Sequence, residues 1–487
     1  MRKSRIGRAL LALLLCTAML FPIACKKDDG PGGTTNAGEW WKTEGELAFD
    51  DKGNVAFDNV EIRLSTVVSG DDKDAFNNIV ARFNRLYEGK INVIVTSIGM
   101  DTYEDTVTKQ ITNNSNAPDL LMSHQKSHKN FADNHLIQPL DEAMEKSGIV
   151  LDLSGYADGL AQYASQGYAG RTFSIPIDGQ SMVVFYNKEV LSKYASSLPT
   201  NRAELEEVCR KFAEDPANGG KAAIAWSTSG DYFANYVFTT ALLQNGVKLF
   251  NESDYKVDWY DNAESLTAFK NTFASMRGLI DNGYANFNEA SGTGLSEFME
   301  GKRLFYFTLP WAMDSLVKRY AQTRGVSEEV LFSDVLGGAS VSGWFAMTDN
   351  ANKNAVYGDS HFFAMTKNVT DINVKAAILE FIRWFTTDAS AGAQWARAGH
   401  VSMSDAITSS DVYAKDPYVS NFISGFYPNI SDFRCVGATP YYEDMLSNLQ
   451  GIFADTVGKS NATAATDERA VADRQKAVND KIDFFGM

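Results

Sequence analysis

Three histidines, His124, His128 and His135, lie close together in the sequence and are the first candidates for chemistry. His124 and His128 are four residues apart, so a helix would place both rings on one face, where they could share a metal ion. However, Lys126 and Lys129 lie among them, and no neighbouring carboxylate completes a ligand set at regular spacing. We therefore expect exposed histidines on a loop or helix, with neither a metal nor another cofactor.

Two Ser-x-x-Lys segments, Ser123 to Lys126 and Ser315 to Lys318, have the spacing found in acyl-serine enzymes. The Lys-Thr-Gly segment that accompanies this motif is missing, and the sequence holds neither a Gly-x-Ser-x-Gly elbow nor a phosphate-binding P-loop. We therefore predict a protein that is not an enzyme, in which any nucleotide hydrolysis belongs to partner subunits. Because acidic residues are numerous, a glycosidase pair of carboxylates stays open as an alternative.

The composition is that of an acidic globular protein. The 487 residues contain 61 Asp and Glu against 45 Lys and Arg, which gives a formal net charge of −16. This length allows two to four domains at about 100–200 residues each, and the negative charge argues against a nucleic-acid-binding surface. Four cysteines are too few for a disulfide-rich scaffold. Cys209 and Cys435 lie beyond the N-terminal segment, and the sequence allows either a disulfide or two free thiols.

The N-terminal residues have the pattern of an export signal. Residues 1–24 combine a basic start with an apolar stretch that is too short to span a membrane, which needs about 20 apolar residues. Ala24 precedes Cys25, an arrangement that resembles a bacterial lipobox, whereas Cys16 follows a leucine that is too large for the peptidase pocket. We predict a signal peptide over 1–24, lipidation at Cys25 and a flexible tether over 25–58, and hence an exported protein anchored to a bacterial membrane on its periplasmic or outer face. An ordinary cleaved signal with an incidental cysteine is the alternative.

Strands and helices alternate from residue 60 onward. The first region has predicted strands at 60–64, 91–98 and 119–122 and predicted helices at about 73–87 and 103–112. This order predicts a parallel sheet with right-handed crossovers. Because ligands bind beyond the carboxyl ends of such strands, we expect the loops Ser69–Gly70, Met100–Tyr103 and Ser123–Lys126 to border the site.

The second half of the chain repeats this alternation. Its predicted strands cover 172–177, 182–186 and 361–366, and its predicted helices cover 202–214, 262–281 and 373–386. Trp384 and Trp395 lie in the last helical region, where we expect them in the core.

Short motifs in a fixed order connect the chain to a known family. They are Ala117–Leu121, Leu136–Asp141, Gly170–Pro176, Phe185–Leu191, Pro199–Leu205, Gly301–Ala312 and Lys375–Phe381. In order and spacing, these motifs resemble those of the solute-binding proteins of ATP-binding-cassette importers, specifically the sugar-binding, maltose-binding-protein-like family.

The resemblance implies an α/β, periplasmic-binding-protein fold, in which two lobes are joined by hinge strands and close on a ligand. Each lobe would be a mostly parallel sheet flanked by helices. The first lobe would cover 59–177 plus about 338–396, and the second would cover 178–337 plus about 397–487. The implied function is a substrate-binding protein that captures a carbohydrate and delivers it to the permease subunits and ATPase of an importer, with no nucleic-acid partner.

The resemblance also points to individual residues. Trp311 falls on a tryptophan that stacks against a sugar ring, and Tyr232 matches a ring-contacting tyrosine. Gln180 falls where the family has a carboxylate in the cleft. His124 and Gln125 occupy the loop that supplies hydroxyl-binding side chains.

Sugar chemistry widens this set of candidates. A pyranose has apolar C–H faces and an equator of hydroxyl groups, so aromatic rings and planar amides or carboxylates suit it. The further candidates are the aromatic residues Trp226, Trp344 and Tyr168 and the polar residues Asp178, Asp231 and Asp359. Core packing is the competing explanation for each aromatic residue. The alternative functions are a secreted glycan-acting hydrolase, or the same fold with a polyamine, a peptide or another solute as ligand.

Overall fold

The computed structural model describes residues 40–70, 72–165, 170–226, 234–286, 292–435, 437, 439–459 and 463–485. Residues Trp41–Met487 form one compact unit. The predicted signal peptide, the lipidation site Cys25 and the start of the predicted tether lie outside the described residues. Among the helices that are described, none is both long and apolar enough to cross a membrane.

The structure contains short strands in three sheets. In chain order the strands are β1 (Val60–Thr66), β2 (Ile91–Ser97), β3 (Leu120–His124), β4 (Ile175–Pro176), β5 (Gln180–Ser181), β6 (Val183–Asn187), β7 (Ile224–Trp226), β8 (Phe305–Thr308), β9 (Leu336–Ala339), β10 (Val356–Asp359), β11 (His361–Met365) and β12 (Phe433–Arg434).

Helices cover the sheets. The α-helices are Lys73–Leu86, Met100–Asn113, Gln125–Asp133, Asp141–Ser147, Asp158–Ser165, Lys188–Leu191, Arg202–Glu214, Thr239–Gln244, Ala263–Asp281, Thr293–Met299, Met313–Arg324, Glu328–Val330, Ile372–Thr387, Ala389–Arg397, Asp405–Thr408, Asp411–Ala414, Pro417–Asn421, Tyr442–Asp455 and Ala464–Phe485. Short 3-10 turns lie at Pro216–Asn218, Pro310–Ala312, Ile423–Gly425 and Ile430–Asp432, and π-helical turns lie at Ala234–Phe238 and Leu331–Val335.

The first sheet has five strands in the order β2-β1-β3-β11-β4. β1 pairs in parallel with both β2 and β3, as the strand–helix alternation predicts. β11 is antiparallel to both β3 and β4, so the sheet is mixed. We call this sheet and its helices the first lobe.

The helix Lys73–Leu86 shows how the first lobe is packed. Its apolar residues recur at helical spacing, and Phe76, Ile79, Val80 and Phe83 are all buried, as the sequence predicts. The Phe83 ring lies edge-on to Phe381. The N-cap residue Asp72 makes no side-chain hydrogen bond to its own helix, which leaves its carboxylate free for another partner.

The second sheet has four strands in the order β7-β8-β6-β9. Its core contains Trp259 and Trp344, both fully buried among the apolar residues of β6 and β8. We call this sheet and its helices the second lobe. The expectation that the chain returns to the first lobe near residue 338 is not met, because β9 pairs with β6 and the residues of β10 pack in this second core.

Within the described part of the chain, three segments cross between the lobes. We call them the crossings: residues 177–180, 359–361 and 398–401. The crossings lie side by side. The Ile177 amide donates to the His361 carbonyl at 2.9 Å, the Gly179 amide donates to the Val401 carbonyl at 2.8 Å, and β5 pairs with β10. A small sheet of β12, β10 and β5 continues from them.

Residues 41–58 are attached to the first lobe rather than extended as a flexible tether. Lys375 donates hydrogen bonds of 2.8 Å to the Lys42 carbonyl and to Thr43 Oγ1. Glu44 forms a parallel bridge with Asp371. The predicted tether therefore ends before residue 41, because these polar contacts hold the segment on the helix Ile372–Thr387.

Two further expectations concern the core. Trp384 and Trp395 are buried, as predicted. Cys209 lies in the core and Cys435 is half-buried, and both are free thiols, so the structure contains no disulfide between these two described residues.

Candidate functional site

A cavity of about 470 Å³ lies between the two lobes. Val67, Ser69, Gly70 and Met100 line it from the first lobe. The loops after β1, β2 and β3 all reach it, because their strands are parallel and end at the same edge of the sheet. The cavity therefore lies beyond the strand ends, at the position where the sequence predicts the site.

Aromatic residues line the opposite wall. Trp311 lies in the turn Pro310–Ala312 and is 45 % exposed, which is a large exposure for a tryptophan. Tyr236 also lines the cavity, as do Tyr357 and Tyr442, whose hydroxyl groups share a hydrogen bond of 2.6 Å. This wall offers ring faces and hydroxyl groups together.

The carboxylates among the described cavity residues are Asp72, Asp359 and Glu443, and each has a basic partner. Asp72 Oδ2 lies 2.9 Å from His400 Nε2, and Asp359 Oδ2 lies 3.0 Å from His124 Nδ1. Glu443 Oε1 lies 2.5 Å from Lys126 Nζ, joining the two lobes across the cleft.

Electrostatics keeps two of these carboxylates ionised. Burial alone would raise the pKa of Asp72, but the hydrogen bond and the charge of His400 lower it. Burial would likewise raise the pKa of Asp359, and the neighbouring His124 lowers it. Neither group has the raised pKa that a general acid needs near neutral pH.

A group of polar side chains closes the cavity at the crossings: Asp178, Gln180, His361 and His400, which we call the crossing cluster. His361 Nδ1 lies 2.8 Å and His400 Nδ1 lies 3.2 Å from Asp178 Oδ2. The Gln180 amide nitrogen lies 2.6 Å from His400 Nδ1. Trp395 stacks on the His400 ring at 3.7 Å and donates its indole N–H to Asp178 Oδ2 at 3.0 Å.

The crossing cluster is buried, so its charges depend on its own members. Burial would raise the pKa of Asp178, but His361 and His400 hold it well below its usual range. The pKa of His361 is lowered because burial outweighs the attraction of Asp178. Burial opposes the charge of His400 as well, but its bonds to Asp178 and Asp72 raise its pKa.

The structure brings some of the predicted site residues to the cavity. Trp311, Gln180 and His124 line it, and so does Asp359. Trp344 does not, because its ring is 1 % exposed, packs edge-on to Phe305 and donates its N–H to the Pro199 carbonyl.

Two predicted polar contacts lie behind the cavity wall. Gln125, the first residue of the helix Gln125–Asp133, is 0 % exposed and does not line the cavity. Asp178 is also fully buried and orients His361 and His400 rather than facing the cavity. The sequence could not show that Gln125 and Asp178 are buried while their neighbours Lys126 and Gln180 face the cavity.

Four predictions lie outside the described residues. They concern Tyr168, Asp231 and Tyr232, and the side chain of Trp226, whose backbone forms the end of β7.

The histidine motif behaves differently from the expectation. His135 is exposed, but His128 is fully buried, and burial lowers its pKa to about 3. Its Nε2 lies 3.1 Å from Ser123 Oγ, and Ser123 is buried as well. In the segment Ser123 to Lys126, the serine is therefore not an exposed nucleophile, and Lys126 binds Glu443 rather than the serine.

Sequence reasoning missed Asp72, His400, Glu443 and Tyr236. Asp72 lies two residues after Gly70, the end of the predicted loop Ser69–Gly70, and its position at a helix start was the only available signal. The other three have no local motif, because the crossings and the packing of distant helices bring them to the cavity.

The comparisons with known proteins agree with this architecture. Residues 69–392 match the family model of the bacterial extracellular solute-binding protein. The sugar-binding protein MalE from Xanthomonas citri has a similar fold, with a TM-score of 0.69, 17 % identity, and coverage of 88 % of this chain and 100 % of that chain. The cyclic alpha-maltosyl-1,6-maltose binding protein from Arthrobacter globiformis is also similar, with a TM-score of 0.65, 18 % identity, and coverage of 87 % and 99 %.

A third similar structure is the GacH receptor of Streptomyces glaucescens, with a TM-score of 0.62, 16 % identity, and coverage of 87 % of this chain and 98 % of that chain. These likenesses confirm the two-lobed fold, and a family of binding proteins agrees with the expectation that the chain is not an enzyme. Because the family model covers most of the chain, the protein belongs to the bacterial extracellular solute-binding protein family.

Proposed function

We propose that this protein is the substrate-binding component of a carbohydrate importer. It captures a neutral saccharide between its two lobes and presents the closed form to the permease subunits and ATPase of the importer. Its activity is then a difference in affinity between open and closed states, without covalent chemistry.

The observation that carries the proposal is that one cavity contains both an exposed indole ring and polar side chains. Trp311 offers a flat face to the C–H surface of a sugar ring, and Gln180 offers an amide to its hydroxyl groups. Among the similar structures, the Streptomyces glaucescens protein forms a complex with acarbose and the Bdellovibrio bacteriovorus protein is bound to maltotriose. These ligands have the same combination of apolar faces and hydroxyl edges.

The charges of the cavity favour a neutral ligand over a polyamine. A polyamine needs carboxylates that are available to its ammonium groups, whereas Asp72, Asp359 and Glu443 each bind a basic side chain of the protein itself. Displacing those partners would cost their interaction energy. The lowered pKa of Asp72 and Asp359 also disfavours the hydrolase alternative, which needs a protonated carboxyl group at neutral pH.

The proposal includes export and anchoring through Cys25. The sequence of residues 1–25 supports it, as does a family of extracellular proteins. A Cys25→Ser variant should lose both labelling by a radioactive fatty acid and recovery in the membrane fraction. Unchanged labelling would rule out this anchor.

The ligand is tested by calorimetric titration with maltose, maltotriose, spermidine and a tripeptide. We expect heat only with the saccharides. Trp311→Ala should weaken binding by at least about tenfold, or about 1.4 kcal/mol, because it removes the stacking face. Tyr260→Ala is the matched control, since Tyr260 is an exposed aromatic residue outside the cavity.

Two outcomes would contradict the proposal. Binding of spermidine alone would change the ligand class while leaving the fold in place. A saccharide recovered in cleaved form would make the protein a hydrolase.

A further inference from the structure

We propose that the crossing cluster is a binding site for a divalent metal ion of tetrahedral preference, such as zinc. Its ligands are Asp178 Oδ2, His361 Nδ1, His400 Nδ1 and the side-chain amide oxygen of Gln180. This site borders the proposed saccharide site and shares Gln180 with it, and it departs from the sequence-based expectation of no metal.

The geometry of the four groups is the first argument. Four ligand atoms at about 2.0–2.1 Å from a zinc ion lie about 3.3 Å from one another. Asp178 Oδ2 lies 2.8 Å from His361 Nδ1 and 3.2 Å from His400 Nδ1. The Gln180 amide nitrogen lies 3.3 Å from His361 Nδ1 and 2.6 Å from His400 Nδ1. These four distances each lie within about 0.7 Å of the zinc value, and the ligand atoms of Asp178, His361 and His400 all lie within 4.8 Å of one another.

The second argument is that the cluster holds an excess of hydrogen-bond donors. Three N–H groups, those of His361, His400 and Trp395, converge on Asp178 Oδ2. The amide nitrogen of Gln180 points at the same two ring nitrogens. A cation replaces the ring protons, which leave to solvent, and a turn of the Gln180 amide presents its oxygen instead.

Groups around the cluster orient these ligands as they do in known metal sites. The second oxygen of Asp178 accepts the His361 backbone N–H at 2.8 Å, which leaves Oδ2 for the ion. The distal nitrogen of His400 donates to Asp72 at 2.9 Å. Trp395 stacks on the His400 ring and fixes its plane.

The site has an access path and a structural consequence. Gln180, His361 and His400 line the cavity, so an ion reaches them from the cleft. The ligands come from all three crossings, because Asp178 and Gln180 lie in the first, His361 ends the second and His400 lies in the third. A bound ion would tie together the segments about which the lobes move.

The test uses the untagged full chain after dialysis against a chelator. Titration with cobalt(II) should give the intense visible absorption of a tetrahedral complex at one equivalent, and zinc(II) should displace it. Native mass spectrometry should show one zinc per chain. A weak octahedral cobalt spectrum, or binding that does not saturate at one equivalent, would overturn the proposal.

Variants locate the site. His400→Gln should weaken zinc binding by at least about 100-fold, and Asp72→Ala, which removes only the orienting bond, by about 10-fold. His135→Asn is the matched control, because His135 is exposed and outside the cluster and its φ of 52° is one that asparagine tolerates. Equal losses in His400→Gln and His135→Asn would refute the assignment.

Two features keep the test decisive. If His400→Gln does not fold by circular dichroism, Gln180→Leu replaces it, and the wild-type cobalt spectrum still decides the coordination geometry. Because the titration contains no saccharide, failure of the proposed transport function would leave its result unchanged.

Discussion

Gly399 supports Trp311 through a close backbone contact, so its substitution tests how the cavity wall is built. Gly399 has a φ of +90°, in the region that favours glycine. A Cβ atom placed there would lie 2.1 Å from the Pro310 carbonyl oxygen and 2.5 Å from the Trp311 nitrogen. These are backbone atoms, so no side-chain rotation relieves the overlap.

The cost of Gly399→Ala has two parts. The left-handed backbone costs about 1–2 kcal/mol for an alanine, and forcing the overlapping atoms apart adds about 1–3 kcal/mol. Gly246→Ala is the matched control. Gly246 has a φ of +93°, and among the described residues no heavy atom lies within 4 Å of the position that its Cβ would take. Gly246→Ala should therefore cost only the free energy of placing an alanine in a left-handed backbone.

The assay is urea denaturation of both variants, followed by titration with the saccharide that binds best. We expect Gly399→Ala to lose about 1–3 kcal/mol more free energy of unfolding than Gly246→Ala. It should also weaken saccharide binding, because the turn Pro310–Ala312 must shift. Equal losses in the two variants, with unchanged binding, would refute the reasoning.

Two other predictions concern the first lobe. Burial lowers the pKa of His128 to about 3 in the folded protein, whereas a histidine in the unfolded chain titrates near pH 6.5. Below about pH 6.5 the unfolded state therefore binds more protons than the folded state. As the pH falls, the free energy of unfolding then drops by up to about 1.4 kcal/mol per pH unit. Urea denaturation from pH 7 to pH 4 should show a shallower loss in His128→Met than in the wild type, and parallel slopes would contradict this. Lys375→Met removes the bonds to Lys42 and Thr43, so limited proteolysis should cut residues 41–58 sooner than in a Lys353→Met control, whose lysine binds the surface residue Asp349. Equal cleavage rates would show that other contacts hold the segment.

The sequence predicted the elements better than their assembly. The helix Arg202–Glu214 has the predicted bounds, and β1, β2 and β3 fall where runs rich in apolar residues predict strands. Periodicity is a local property, so single-sequence reasoning can find it. The sequence placed the return to the first lobe near residue 338 rather than at 359–361, because β9 and β10 are short strands whose partner sheet is decided by distant pairing.

The candidate site shows the same division. The loops at the ends of parallel strands were predictable, and so His124 was correctly placed at the cavity. Trp311 and Trp344 could not be separated by residue type, because exposure depends on whether the ring meets a core such as that around Phe305. His400 carried no motif at all, since its partners Asp72 and Asp178 are far away in the sequence.

Under the proposed function, the overlap between the cavity and the crossings would let binding drive closure. Gln180, Asp359 and His400 line the cavity and also lie at the crossings. A ligand that bonds to these residues therefore acts directly on the segments that must change when the lobes move. A ligand shifts an equilibrium only by its difference in affinity for the two states. Under the proposed function, a saccharide that contacts Trp311 on one lobe and the loop Ser69–Gly70 on the other would supply that difference, since it reaches both only when the lobes are close.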